Sequence, residues 1–83
     1  MNFKLVKGHF STKEAIELVT QMVHVKIKFQ ESKIQNASSE EDIKMRESRI
    51  KQLQKDLYEM KNVIEKNNDK LIEIHSEITL VKL

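Results

Sequence analysis

The residues best suited to metal binding or acid–base chemistry are three histidines, His9, His24 and His75. Two metal ligands on one helix face must lie three or four residues apart. At those offsets His24 and His75 have no His, Cys, Asp or Glu, and His9 lies in an N-terminal segment with Thr12 and Lys13 nearby. We therefore predict no metal site. We interpret the histidines as residues on the surface or at the edge of a contact between helices.

Catalytic chemistry has little support elsewhere in the chain. There is no Cys to act as a nucleophile, and a single Gly, Gly8, excludes a glycine-rich loop around a phosphate. Most carboxylates have a Lys or Arg within reach, so they should remain ionised and solvated. A few packed helices rarely form a concave pocket without a cofactor. We predict a protein that is not an enzyme and that has no cofactor.

Nucleic-acid binding is the alternative function that the charges suggest. The chain carries 15 Lys and Arg against 13 Asp and Glu, a net charge of +2. Seven basic residues flank the predicted interior turn and could contact phosphates: Lys26, Lys28, Lys33, Lys44, Arg46, Arg49 and Lys51. Glu40, Glu41, Asp42 and Glu47 are interleaved among them and weaken the local positive field. The pattern is more typical of a solvated helix face.

The length and composition bound the class of protein. With 83 residues the chain forms one domain with a small core, so we expect it to need a partner. The absence of Cys suits a reducing compartment. We find no apolar run of about 18 residues and no signal peptide at the N-terminus, and the chain has no Trp to favour a membrane surface. We expect a soluble, cytoplasmic protein that does not bind membranes.

The second half of the chain carries a heptad repeat. Six apolar residues recur every seven positions: Ile43, Ile50, Leu57, Ile64, Leu71 and Ile78. A helix with this repeat makes its contact, the seam, through two apolar positions in each heptad. The second position, three residues after the first, is occupied by Leu53, Met60, Ile74 and Val81. A seven-residue apolar period is typical of a helix that supercoils around another helix. Since no Pro or Gly interrupts this stretch, it predicts a helix over 40–81.

Asn67 interrupts the seam, and its role has two interpretations. It could pair with Asn67 of a second chain and fix the register, or it could mark a local fraying of the helix. Asn67, Asn68 and Asp69 also allow a turn followed by a short third helix. The heptad keeps its phase from Ile64 to Leu71, which favours a continuous helix.

The first half of the chain predicts a helix over 11–34. Ser11 and Glu14 form a capping box, and two apolar stripes follow on adjoining faces. One stripe comprises Ala15, Leu18, Met22, Val25 and Phe29, and the other comprises Ile16, Val19, Val23, Ile27 and Ile34. Together they are wider than one partner helix would cover. Alternation from Val23 to Phe29 also fits a strand, but no turn signal precedes it.

A turn over 35–39 separates the two predicted helices. Asn36 can adopt the left-handed conformation that closes a helix, and Ser38 or Ser39 can cap the next one, with Ser38 and Glu41 forming a second capping box. Phe3 and Leu5 alternate with Asn2 and Lys4 as in a short strand, but without a visible strand partner residues 1–10 are predicted to be a loosely ordered arm.

These elements predict an all-α fold, an antiparallel helical hairpin over 11–83 with a short and a long helix. The short helix can cover the long one only as far as about Val63, so the remaining seam requires apolar cover from elsewhere. We therefore expect a non-enzymatic interaction or scaffolding module that forms homodimers or homotetramers and could also bind another protein. The predicted interface is Ile43, Ile50, Leu53, Leu57, Met60, Ile64, Asn67, Leu71, Ile74 and Ile78.

Overall fold

The computed structural model describes residues 1–36, 39–67 and 71–83. These residues form two helices and two strands, in the order β1 (Asn2–Phe10), α1 (Thr12–Gln35), α2 (Glu40–Glu65) and β2 (Ile72–Thr79). The helices form a hairpin, and the strands pair into a two-stranded antiparallel sheet. The predicted hairpin is therefore present, but the predicted all-α fold class is wrong because both ends of the chain are extended.

Helix α1 begins where the capping box predicts. The Ser11 hydroxyl accepts a hydrogen bond from the Glu14 amide at 3.1 Å, and the Ser11 amide donates to the Glu14 carboxylate at 3.0 Å. These hydrogen bonds, the one from the backbone of Ser11 first, lower the pKa of Glu14. The helix runs without interruption to Gln35, so the alternative strand over Val23 to Phe29 is wrong.

The turn between the helices is closed by different chemistry from that predicted. Asn36 ends α1 with φ −105° and ψ 7°, which is not left-handed, and its side-chain amide donates to the Ser32 carbonyl at 3.0 Å. The Ser39 hydroxyl caps α2 by accepting from the Asp42 amide at 3.2 Å. The capping box predicted for Ser38 lies outside the described residues.

Helix α2 ends at Glu65 and does not continue to Val81. The chain leaves the helix at Lys66 and Asn67, so the predicted continuous helix over 40–81 is wrong. The alternative break is present, but a strand and not a third helix follows it. In a strand, alternate residues share a face, and Ile72 and Ile74 therefore lie together while Leu71 is 56% exposed. The seven-residue interval from Leu71 to Ile78 is thus a coincidence of spacing.

The sheet joins the two ends of the chain, and the predicted loosely ordered arm is its first strand. Paired residues run from Asn2 opposite Thr79 to Phe10 opposite Ile72, with a bulge between Lys4 and Val6. At the end of the sheet farther from Phe10, the Met1 ammonium donates to the Leu80 carbonyl at 3.0 Å. The sequence alone does not identify β2 as the strand partner of β1, because the residues of β2 also fit the heptad repeat.

The core lies where the sheet meets the first turns of α1 and the last turns of α2. Ala15, Val19 and Ile64 form a buried cluster, and Ala15 is fully inaccessible. Partly buried apolar residues from every element pack against this cluster: Phe10, Ile16, Leu57, Met60, Ile72 and Ile74. The inner face of the sheet, represented by Phe10, Ile72 and Ile74, is therefore fixed to the helices at one end.

The molecule is a flat slab with extents of 47 × 31 × 13 Å. Its radius of gyration is 15.5 Å, whereas a compact domain of this length would have a radius of gyration of about 12 Å. Within the described residues, no helix is long and apolar enough to span a membrane.

Candidate interaction surface

The predicted interface residues separate into two groups. Ile43, Ile50, Leu53, Leu57, Met60 and Ile64 all lie on α2, where each is partly or fully buried. Leu57, Met60 and Ile64 pack in the core with α1 and the sheet. This part of the heptad is used within the chain. The others lie beyond the helix: Asn67 follows α2, Leu71 precedes β2, and Ile74 and Ile78 belong to β2.

Helix α1 carries an apolar surface that the hairpin does not cover. Val19 and Val23 of one predicted stripe are buried, and Ile16, Ile27 and Ile34 beside them are half-buried. The other stripe lies about 140° around the helix at 100° per residue. We call its four members Leu18, Met22, Val25 and Phe29 the outer stripe. Val25 is 69% exposed and Phe29 is 56% exposed, whereas Leu18 and Met22 are half-buried, so this surface faces solvent most fully in its second half.

Ala15 does not belong to the outer stripe, although the sequence places it there. The packing of Phe10, Ile72 and Ile74 against the core cluster covers the start of α1. A shallow groove of about 240 Å³ begins beside this covered end, between Phe10 and the α1 residues Glu14, Glu17, Leu18 and Gln21. The outer stripe therefore runs from an acidic-rimmed groove at Leu18 to an exposed aromatic ring at Phe29.

A second, wider groove separates α2 from β2. It has a volume of about 670 Å³, and its apolar floor includes Met60, Ile64 and Ile74. Asp56, Glu59 and Glu73 line it as well. The groove is a consequence of the sheet meeting the helices at one end only. The groove adds to the apolar surface that the molecule exposes to solvent.

The basic residues predicted to contact nucleic acid have different surroundings in the structure. Arg46 is directed into the hairpin: its guanidinium donates to the Gln30 side-chain oxygen at 3.0 Å. Its Nε lies 3.6 Å from the Asp42 carboxylate, a distance that suits an ion pair but is too long for a hydrogen bond. The ammonium group of Lys33 lies 5.5 Å from the centre of the Phe29 ring.

Among the other basic residues, Lys26 and Arg49 line one small groove between the helices, together with Asp56. Lys28, Lys44 and Lys51 are exposed on the helices. A carboxylate thus shares the groove of Lys26 and Arg49, and Arg46 is bound within the chain by its ion pair with Asp42 and its hydrogen bond to Gln30.

The outer face of the sheet brings together three residues that helical spacing kept apart. Nε2 of His75 lies 2.8 Å from Oε1 of Glu73, and Nε2 of His9 lies 3.8 Å from the same oxygen. The hydrogen bond from His75, followed by its positive charge, lowers the pKa of Glu73. All three side chains are more than half exposed. The signal for this cluster was the alternation Glu73, His75, Glu77, which places carboxylates and a histidine on one strand face.

The cluster around Glu73 does not form a metal centre. Within the described residues, no group of three or more His, Cys, Asp or Glu side chains has the arrangement needed to hold a metal ion. The cluster consists of a contact along β2 between Glu73 and His75 and a longer contact across the sheet to His9. Both are exposed and are ion pairs only when the histidine is protonated, so they contribute little to stability.

The pKa of Glu73 gives a direct test of the strand arrangement. Because the native pKa lies below the unfolded value of 4.5, the contribution of the carboxylate to stability is complete above about pH 4.5. That contribution is lost as the pH falls through the native pKa. We expect the carboxyl ¹³C resonance of Glu73 to titrate below pH 4.5, and His75→Ala to move its midpoint upwards. His24→Ala on α1 is the control. Equal midpoints in the native chain and His75→Ala would contradict the extended conformation of β2, which places Glu73 and His75 on one face.

Comparison of the chain with protein-family models, with curated proteins and with solved structures gives no match. The function must therefore be argued from the surface of the chain itself.

Proposed function

We propose that this chain is a non-enzymatic interaction module that self-associates through its helices. The observation that supports the proposal is the size of its surface. The chain exposes 6953 Å², whereas a compact monomer of 9.8 kDa would expose about 5,200 Å². The excess is roughly 1,800 Å², more than the about 800 Å² that each partner buries in an interface of standard size.

The composition of the core leads to the same proposal. Among the described residues, the buried hydrophobic side chains are Ala15, Val19, Val23 and Ile64. None of the large side chains described is fully buried. Burial of apolar surface is the main favourable contribution to folding, so a core of this size leaves the single chain with little stability. A second copy would supply the missing apolar cover.

The proposal rests on different residues from those that the sequence suggested. The expected driving force was an uncovered helical tail beyond Ile64, and that argument is wrong because β2 pairs with β1 in the same chain. The apolar surface that lacks cover is instead the outer stripe of α1 and the groove between α2 and β2. Non-enzymatic character remains part of the proposal, since among the described residues the groove between α2 and β2 contains His75 but no Ser, Thr, Cys or Lys beside it, and the groove beside Phe10 contains none of these residues either.

Sedimentation equilibrium of the native chain tests this proposal. We expect an average mass that is a multiple of 9.8 kDa at concentrations of about 1 to 100 µM, with little dependence on salt because apolar burial is not screened. A mass of one chain throughout would overturn it. The matched arm measures fluorescence anisotropy of a mixed-sequence RNA at increasing salt. Binding by a single-chain species that weakens steeply with salt would favour the nucleic-acid alternative.

A further inference from the structure

We infer that two copies of this chain pair through the outer stripes of their α1 helices, in antiparallel orientation, to form a two-fold symmetric dimer. This inference rests on the proposed self-association and assigns the surface that carries it. The outer stripe, Leu18, Met22, Val25 and Phe29, has alternating four- and three-residue spacing. That is the spacing of the seam of a two-stranded coiled coil.

The occupant of this stripe is a second α1 because an identical stripe offers matching length and apolar content. In an antiparallel pair centred between Val23 and His24, Met22 lies opposite Val25 of the other copy. Leu18 lies opposite Phe29 in the same way, so all four side chains are covered. The packing of Ala15 beneath the sheet excludes a register shifted towards the start of the helix. Such a pairing is isologous, which closes the assembly at two copies.

The groove at the start of the stripe supports this register. It is lined by Phe10, Leu18 and Gln21, with Glu14 and Glu17 at its edge. The Phe29 ring of the other copy would lie against this groove, since Phe29 and Leu18 are opposite each other. Phe29 is the largest exposed side chain of the stripe, and a groove beside its partner position gives it a surface to contact.

The charges beside the stripe determine the orientation. Glu14, Glu17, Gln21 and Lys28 lie on one flank, and Lys26 and Lys33 lie on the other. Antiparallel pairing brings like flanks together, so Lys28 meets Gln21 and Glu17 of the second copy, twice in each dimer, while Lys26 approaches Lys26 of the second copy once, at the two-fold axis. Parallel pairing would bring Lys28 against Lys33 of the second copy, twice in each dimer. Like charges at these positions oppose association, so the flanks favour the antiparallel dimer.

Disulfide trapping tests the seam directly because the native chain has no cysteine. Leu18→Cys and Phe29→Cys chains, distinguished by a tag, are mixed and oxidised with copper phenanthroline. We expect the mixed disulfide as the main product. Two copies of Leu18 in the antiparallel pair are about 16 Å apart along the axis, beyond the roughly 7 Å Cα separation that a disulfide spans. Lys55→Cys, on the exposed side of α2, is the control and should not crosslink.

The outcomes separate this inference from the proposed function. Same-residue disulfides of Leu18→Cys and of Phe29→Cys would show a parallel pair and overturn it. A multimer in sedimentation equilibrium that yields no more crosslink than Lys55→Cys would overturn the α1 seam and leave self-association standing. A single-chain mass for the native protein would overturn both. If Phe29→Cys itself dissociates the dimer, Gln21→Cys mixed with Lys28→Cys leaves the stripe intact, and absence of their mixed disulfide would equally overturn the seam.

Discussion

Replacing Ile64 by alanine should lower the free energy of unfolding by about 2–4 kcal/mol, the range for truncating a buried isoleucine. Ile64 is the one residue of α2 that is buried, and it packs with Ala15 and Val19 where the sheet meets the helices. Removing its side chain leaves a cavity at the point that joins all four elements. Because the core is so small, the neighbouring residues can close this cavity only by moving the sheet. Urea unfolding followed by circular dichroism measures the effect.

The adjacent residue provides the control for this experiment. Val63 is 72% exposed, so Val63→Ala should change the free energy of unfolding by less than about 0.5 kcal/mol. Both variants must be measured at one protein concentration, since self-association contributes to apparent stability. Equal losses in the two variants would contradict the position assigned to Ile64 and, with it, the packing of the sheet against α2.

Replacing Ile72 by lysine should lower the free energy of unfolding by about 2 kcal/mol or more, because an unpaired charge replaces a partly buried apolar group. Ile72 faces the helices opposite Phe10 and packs against the core. In the continuous helix that the heptad predicts, Ile72 would lie outside the seam and Leu71 within it. The variant therefore distinguishes the strand from the helix as well as measuring the contact.

The matched variant for this test is Leu71→Lys. Leu71 is more than half exposed in the structure, so this change should be nearly neutral. A helical tail reverses the order, with Leu71→Lys severe and Ile72→Lys mild. Far-ultraviolet circular dichroism of both variants shows whether the loss in Ile72→Lys affects the sheet alone or also the helices.

The elements that depend on local chemistry were predictable. The capping box of Ser11 and Glu14 fixes the start of α1, and the end of α1 at Gln35 and the start of α2 at Glu40 lie close to the predicted bounds. The width of the apolar surface on α1 was also visible in the sequence, and it is the origin of the outer stripe. These features arise from contacts between residues within a few positions of each other, which a sequence pattern records directly.

The sheet could not be predicted in the same way because its two strands come from opposite ends of the chain. A strand is stabilised by pairing with another strand, and the spacing of residues within one segment does not reveal which distant segment it pairs with. The segment from Leu71 to Ile78 fits both a heptad and an alternating pattern. The β-branched residues Ile72, Ile74 and Thr79 were the signal in favour of the strand. The approach of His9 to Glu73 was missed for the same reason, since it exists only once the two strands are paired, whereas Glu73 and His75 meet along β2 itself.

The pairing of the first and last segments of the chain has a consequence for the order of folding. The helical hairpin is made of contacts between neighbouring segments, which form early, whereas closing a loop between distant segments carries an entropic cost. Once the hairpin has formed, it holds Phe10 and the start of β2 close together. Pairing then extends from this fixed end towards Asn2 and Thr79. We therefore expect the sheet to be the last element to form and, in native-state hydrogen exchange, the first to open, beginning at its distal end.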